Sequence, residues 1–466
     1  MVPYFPKQFS RKAISIYLIS LAVVSVVFMK HMLKPAFMII GIVWVLIFFL
    51  LSSSYSKKWV EVDGKIFIRK LFLTAIVLRL IWVIFSYIFY TIKTGIPFEF
   101  GSSDALAYHE EALWLLEIGW DGTMDYLFSG GSYSDAGYPF YLTLLYSIIG
   151  PNIFITRIIK SLLSSFTCIF AYKLAKRNFG EEAGRMAGIF CALCPNLVIY
   201  CGMHLKETEM IFLTMAALER ADDLLRQKKV SFLNVIVTAL LVISLFFFRT
   251  VLGAAVVFAI FSAVVFSSTT VMTRWNRIVL VVWAVVAVAI MAGGTIANEA
   301  ESYWNSRGDN QALKRSHQVS KGVKWAKYAT GTVMAPMMFV LPFPTMVDVD
   351  EQYNQQMVNS GNFVRNFMGV FVILALFNAL FKKKNWRDFS LLGAFIISYL
   401  GIVSSSGFAN SERFLLPGFP VLLIIAAYGI SLVDERSYRF VRIWYVIVPI
   451  MAIAWAVFKL GSRGFL

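Results

Sequence analysis

One acidic residue stands where a carboxylate could carry out acid–base chemistry. Asp104 opens a segment, 104–114, whose apolar spacing predicts a helix. A carboxylate there can take the proton of an attacking hydroxyl, so Asp104 is the candidate general base. The alternative is structural, because Ser102, Ser103 or Asp104 can also cap the start of that helix. His109 points to another side of the helix and is the weaker candidate base.

Several cations stand at one set of ends of the long apolar stretches. They are Arg157, Lys160, Lys206, Arg249 and Arg413. Arg157 and Lys160 are three residues apart and share a helix face, and Glu207 follows Lys206 in a short polar turn. Arg and Lys bind phosphate through charge-assisted hydrogen bonds, so this set suits a phosphate-bearing lipid. Each cation can also be explained singly as an interfacial anchor that reaches toward headgroups.

The apolar stretches are the elements that must position these residues. Hydrophobic residues make up 59% of the 466 and charged residues 15%, whereas a soluble domain is about a quarter charged. With their flanks, the stretches approach the roughly 20 residues that cross a bilayer, and lipid forces them to be helices. We therefore predict an all-α polytopic membrane protein with about thirteen spans. The predicted spans are 13–29, 35–52, 70–92, 152–175, 184–203, 206–225, 231–248, 250–268, 277–296, 362–381, 388–405, 412–431 and 440–460.

The distribution of charge predicts the topology. Lys and Arg total 43 against 27 Asp and Glu. With a cytoplasmic N-terminus, the inside connections are short and basic, while the outward segment 94–151 contains neither Lys nor Arg. Net charge thus indicates topology and contact with anionic lipid, with no nucleic-acid partner required. The first apolar run follows a basic N-terminus and is interpreted as a retained signal anchor.

Two long connections, 94–151 and 297–361, both face outward in this topology. Long loops inside a compact protein are usually functional or disordered, and these carry aromatic, glycine and charged residues. We expect them to form one extracytoplasmic site. Within the first, the apolar stretch 138–150 is short for a span and is expected to be a helix at the membrane surface.

Neither the cysteines nor the acidic residues of the second loop define a metal site. The cysteines are expected to be buried packing residues; they are Cys168, Cys191, Cys194 and Cys201. Negative charge is dispersed in the second loop at Asp348, Asp350 and Glu351. No cofactor is predicted, and a divalent cation is left open because no adequate ligand set is evident.

Five motifs along the chain resemble those of one membrane-enzyme superfamily. They are Asp104-Ala-Leu-Ala-Tyr108-His109, Tyr138-Pro139-Phe-Tyr141 with Gly150 and Arg157, Tyr172-Lys-Leu through Phe179-Gly180 to Pro195, the carboxylate Glu207, and Arg413-Phe-Leu-Leu-Pro417 with Pro420. In order and topology they resemble the GT-C superfamily of glycosyltransferases. The likeness is closer to its bacterial branch, which includes relatives of protein O-mannosyltransferases and lipid A aminoarabinose transferases. There are three departures from the family pattern. Many relatives have a second acidic residue where Ala105 stands, and two extra spans precede the first loop. Some relatives have a basic residue just before the proline, where Gly137 and Tyr138 stand here.

The resemblance implies an inverting glycosyl transfer at the extracytoplasmic face of a bacterial inner (plasma) membrane. The sugar would move from a polyprenyl-phosphate donor to the hydroxyl of an unidentified acceptor, with Asp104 as base. Substrate-binding candidates are Tyr108, His109, Tyr138, Arg157, Lys160, Lys206, Glu207, Arg249 and Arg413. Four of the cations compete for the phosphate: Arg157, Lys160, Lys206 and Arg413.

The implied organisation places the catalytic module between an N-terminal extension and the second loop. The parts are an N-terminal two-span extension with its cytoplasmic loop (1–69), a GT-C-like module (70–296), the second loop (297–361) and the C-terminal helices (362–466). Alternative functions are a flippase or transporter of lipid-linked sugars and an O-antigen-type polymerase or ligase. Transporters place charges near the middle of the bilayer, and Arg79 is the main such residue here.

Overall fold

The fold is built from helices joined by mostly short connections. The computed structural model describes residues 4–129, 136–227, 231–266, 337–350, 352–382, 386–405, 411–461 and 464–465. In chain order the α-helices are α1 (Lys7–Val27), α2 (Pro35–Lys58), α3 (Gly64–Thr94), α4 (Ser103–Glu117), α5 (Gly119–Ser129), α6 (Gly137–Ile149), α7 (Ile153–Phe179), α8 (Glu181–Leu193), α9 (Pro195–Ile199), α10 (Glu207–Arg226), α11 (Phe232–Phe248), α12 (Thr250–Phe266), α13 (Tyr353–Met357), α14 (Asn359–Phe377), α15 (Ser390–Ser405), α16 (Glu412–Leu415), α17 (Phe419–Ser431) and α18 (Glu435–Gly461). Within these ranges there is no β-strand, so the all-α prediction is confirmed for this part of the chain.

Eight helices in the described ranges are long and apolar enough to cross a membrane, and α8 with α9 forms a bent ninth candidate. These nine coincide with nine predicted spans, which confirms a multi-pass membrane protein. Helices α11 and α12 match two further predictions but have only 17 residues each. Helix α10 matches the predicted span 206–225 but carries several charges, and 277–296 lies outside the described residues. The number thirteen stays a prediction.

Pro195 breaks the predicted span 184–203 into α8 and α9, which meet at 51°. Proline has no N–H for the carbonyl of Cys191, four residues earlier, and Cys194 leaves the helical conformation (φ −61°, ψ 120°). The guanidinium of Arg79, fully buried on α3, replaces the missing donors. It donates to the carbonyls of Cys191 (3.2 Å) and Ala192 (3.1 Å). Arg79 is thus a structural residue that holds the break in place.

Helix α17 lies at the centre of the bundle and is almost entirely buried. Gly429 lets its backbone approach α14 closely, since a Cβ there would lie 2.0 Å from the carbonyl oxygen of Phe371. Small residues at helix contacts allow this kind of backbone approach. The residues that follow Arg413 are therefore fixed by the core of the protein.

The N-terminal extension is packed into the bundle through aromatic contacts. Phe5 contacts Phe190 of α8 edge to face, with ring centroids 5.4 Å apart, and Phe49 contacts Phe367 of α14 at 5.2 Å. The hydroxyl of Tyr17 donates to Oδ1 of Asn359 at 2.6 Å. Helices α1 and α2 therefore share one core with the later spans.

The described end of the second loop contacts both the extension and the first loop. A single β-bridge joins Met32 to Val347, and the Asp348 N–H donates to the carbonyl of His31 at 2.8 Å. The Asn354 amide donates to the carbonyl of Phe100 in the first loop at 2.7 Å. The first loop and the described end of the second loop are thus in contact at Phe100 and Asn354; that the two loops form one extracytoplasmic site stays a prediction.

Candidate functional site

The predicted loop helix is present as α4, and Asp104 lies in its first turn. Ser102 occupies the N-cap position, and its side chain makes no capping hydrogen bond. Asp104 does not serve as the cap either, because its Oδ2 accepts a hydrogen bond from the guanidinium of Arg413. The capping interpretation was wrong, since a contact 309 residues away in the chain engages the carboxylate.

Arg413 joins the two candidate carboxylates into one cluster. Its Nη1 donates to Asp104 and its Nε donates to Oε1 of Glu207. The Glu207 side chain is fully buried, Arg413 is 19% exposed and Asp104 is 52% exposed. The cluster therefore consists of a buried carboxylate, Glu207, a central cation, Arg413, and an accessible carboxylate at the surface, Asp104. We refer to Asp104, Arg413 and Glu207 together as the acid–arginine cluster.

Helix α10 is held at both ends, which fixes Glu207. At its first turn, Glu207 has a favourable interaction with the helix dipole. At the far end, Arg177 of α7 pairs with Asp222 (2.6 Å) and Glu219 (3.1 Å). The acidic partner of Arg413 is consequently part of a rigid element.

Lys160 fixes the turn that precedes Glu207. Its fully buried ammonium donates to the carbonyls of Met203 (2.9 Å) and Leu205 and lies 3.5 Å from a carboxylate oxygen of Glu209. It also lies 3.4 Å from the hydroxyl of Tyr138. These contacts give Lys160 a structural role in the turn, so its assignment as a phosphate ligand is not favoured.

Arg157 is also buried and engaged by the protein. Its Nη2 donates to the carbonyl of Pro97 and lies 4.0 Å from Glu99, and its guanidinium faces the rings of Tyr87 and Tyr90 at about 6 Å. The first loop is thereby attached to the start of α7. Glu99 was missed in the sequence, where a single acidic residue between two phenylalanines gives no signal of its partner.

Two histidines and a tyrosine form a hydrogen-bonded chain beneath α4. The Tyr146 hydroxyl lies 2.9 Å from Nδ1 of His109 and 3.3 Å from Nε2 of His204. The His204 backbone N–H donates to Glu99 at 3.0 Å. Burial, with the charges of Lys160 and Arg157 nearby, holds the pKa of His204 well below its usual value. Burial also lowers the pKa of His109, so both imidazoles are favoured in the neutral form.

Aromatic contacts connect the remaining candidates to this region. Tyr108 meets Tyr138 edge to face with ring centroids 5.2 Å apart, and the buried Lys206 ammonium lies 5.7 Å from the Tyr108 ring. Arg249, between α11 and α12, stacks on Phe414 at 4.4 Å, beside Arg413 in the chain. Lys206 and Arg249 thus flank the acid–arginine cluster, each through an aromatic ring.

Among the described residues, no group of three or more His, Cys, Asp or Glu side chains is arranged to hold a metal ion. Asp348 lies 3.8 Å from Lys34, and Asp350 accepts from the Tyr353 hydroxyl at 3.3 Å. Glu351 lies outside the described residues. All four cysteines are buried and free, as predicted.

Neither a family model nor a curated protein matches the chain. The fold therefore establishes only a general class, that of a polytopic all-α membrane protein. Membership in the GT-C superfamily stays a prediction from the motifs.

Proposed function

We propose that the protein is an inverting glycosyltransferase that uses a polyprenyl-phosphate-linked sugar as donor. The acid–arginine cluster is the observation that supports this proposal most. It contains an accessible carboxylate and a guanidinium, and its members come from the first loop, the start of α10 and a late span. Three of the five motifs that resemble GT-C enzymes are thus joined by direct hydrogen bonds.

The reaction needs one proton acceptor and one site for a leaving phosphate. The acceptor oxygen bonds to the anomeric carbon while the bond from that carbon to the phosphate oxygen breaks. Asp104 takes the hydroxyl proton, and the phosphate leaves with the bonding electron pair. Arg413 stabilises the negative charge that grows on the leaving oxygen, which is where preorganised cations lower a barrier most. A single displacement of this kind inverts the anomeric configuration.

The contacts narrow the set of phosphate ligands. Arg157 and Lys160 are fully buried and donate to backbone carbonyls of the loop and turn that they hold. Arg413 is partly exposed and its guanidinium fork matches phosphate oxygens. We therefore assign Arg413 as the principal phosphate ligand, with Arg249, which stacks on Phe414, beside it.

The contacts of Arg79 also support an enzyme rather than a transporter. Arg79, the deep cation that suggested passage through the bilayer, donates to Ala75, Ala192 and Cys191 carbonyls and to Ser164. Its charge is used to hold a helix break. A role in moving a substrate is not needed to explain its presence.

The test is release of polyprenyl phosphate by purified protein from a mixture of lipid-linked sugars, with an envelope extract as acceptor source. Wild type should release the lipid phosphate and transfer the sugar, and Arg413→Gln should do neither while remaining folded. Movement of intact lipid-linked sugar across vesicle membranes without release would replace the proposal with the flippase. Growth of a lipid-linked glycan chain would replace it with the polymerase.

A further inference from the structure

Arg413 is held unequally by its two carboxylate partners. Glu207 is fully buried at the start of α10, whereas the Asp104 side chain is 52% exposed on a loop helix. A buried ion pair loses much when one partner leaves, because a charge remains uncompensated, while an exposed pair loses little. The bond to Glu207 is therefore the permanent one, and the bond to Asp104 is the exchangeable one.

Asp104 accepts a hydrogen bond from Nη1 of Arg413, which is also an atom that an anionic ligand would bind. A guanidinium offers a planar fork that fits carboxylate and phosphate oxygens alike. Glu207 engages Nε, which leaves the Nη1 edge with Asp104 as its partner. Lys206 on Tyr108 and Arg249 on Phe414 add positive potential around this edge. A phosphate that binds at Nη1 competes with the Asp104 carboxylate for that donor.

We infer that Asp104 is an internal stand-in for the donor phosphate, and that donor binding on Arg413 releases the carboxylate for catalysis. This inference rests on the proposed function and adds its regulation. While Oδ2 of Asp104 accepts from Arg413, that oxygen is held at the guanidinium. Arrival of a phosphate frees it, so that both carboxylate oxygens can face an acceptor hydroxyl. The base thus becomes fully available once a donor is present, and the order of binding is donor first and acceptor second.

Glu207 acts in this exchange as a positioning residue. It holds Arg413 from the buried side, so the guanidinium stays in place while its outer partner changes. The turn before it is fixed by Lys160 on the carbonyls of Met203 and Leu205. The exchange therefore needs movement only in Asp104 and its loop helix.

The test is a binding measurement that involves no sugar. Farnesyl phosphate is titrated calorimetrically into detergent-solubilised wild type, Asp104→Asn and Arg413→Gln, with farnesol as the probe that lacks phosphate. Asp104→Asn should bind farnesyl phosphate about two- to fivefold more tightly, since an exposed ion pair of this kind contributes up to about 1 kcal/mol. Arg413→Gln should bind it at least about tenfold more weakly, because charge-assisted hydrogen bonds are lost. Farnesol should bind all three proteins equally.

The matched control is Asp121→Asn, an exposed aspartate on the neighbouring helix α5 that should bind farnesyl phosphate as wild type does. If Asp104→Asn does not fold, Asp104→Ser supplies the same loss of negative charge. Equal or weaker binding by the Asp104 variant would overturn the competition. This titration measures binding alone, so it is independent of the transfer assay described above. Tighter binding by Asp104→Asn with no sugar transfer in that assay would refute only the proposed function. Sugar transfer with no change in binding would refute only this inference.

Discussion

Replacement of Arg79 by methionine should loosen the centre of the bundle. Methionine keeps an unbranched apolar stem in place of the arginine stem, but the donors to the carbonyls of Cys191 and Ala192 are lost. Each buried carbonyl left without a partner costs about 1–3 kcal/mol, which gives about 2–6 kcal/mol for the pair. Removing a buried guanidinium returns part of its desolvation cost. We expect a net loss of about 3 kcal/mol, or about a hundredfold in the opening equilibrium.

The buried cysteines can report the opening equilibrium of the bundle. All four cysteines are free and buried, and Cys168 lies 3.5 Å from Arg79. Labelling by a thiol-reactive fluorogenic dye should follow the opening equilibrium when reclosing is fast. The Arg79→Met protein should label about a hundredfold faster than wild type. Arg69→Met, the same change at an exposed position of α3, should label at the wild-type rate. Labelling of Arg79→Met within about threefold of wild type would refute the structural role of Arg79.

Two further predictions concern stability. Gly429→Ala should destabilise the protein by about 1–3 kcal/mol, because its Cβ would lie 2.0 Å from the Phe371 carbonyl oxygen; Gly401→Ala, with nothing within 4 Å, should not. A melting temperature for Gly429→Ala equal to that of Gly401→Ala would contradict the close approach. Since the pKa of His204 is lowered in the folded state, the unfolded chain binds the extra proton, and stability should fall as pH decreases below about 6.5. Tryptophan fluorescence melts from pH 8 to 5 should show this decline, reduced in His204→Asn; a flat profile in wild type would count against a buried neutral imidazole.

Local signals were enough to find the parts of the acid–arginine cluster. Asp104 stands before a helical apolar pattern, Glu207 stands in a turn with more charge than a turn needs, and Arg413 begins an apolar run. Each could be found within about ten residues of sequence. Their contact could not be predicted, because Arg413 is 309 residues from Asp104 and 206 residues from Glu207 in the chain. The motifs gave candidates, and our proposal that Arg413 is the phosphate ligand among the four competing cations depends on contacts that only the fold shows.

Long-range pairing also explains the other differences. Lys160 was grouped with phosphate ligands because its position three residues after Arg157 was the only information available. Its actual partners are carbonyls of Met203 and Leu205, more than 40 residues away. The hydrogen bond between Tyr146 and two histidines had no sequence signal, since a tyrosine in an apolar stretch is unremarkable. The break at Pro195 did have one, but helix continuation through a proline is common enough in membranes to hide it.

The most direct test of the central claim compares Asp104→Asn with Asp121→Asn in single-turnover sugar transfer from the donor that wild type accepts. The two variants carry the same chemical change on neighbouring helices, and thiol labelling checks that both are folded. We predict that transfer is lost in Asp104→Asn, by about 10²–10⁴-fold for removal of a general base, and kept in Asp121→Asn. Transfer at the wild-type rate by folded Asp104→Asn would show that Asp104 is not the base.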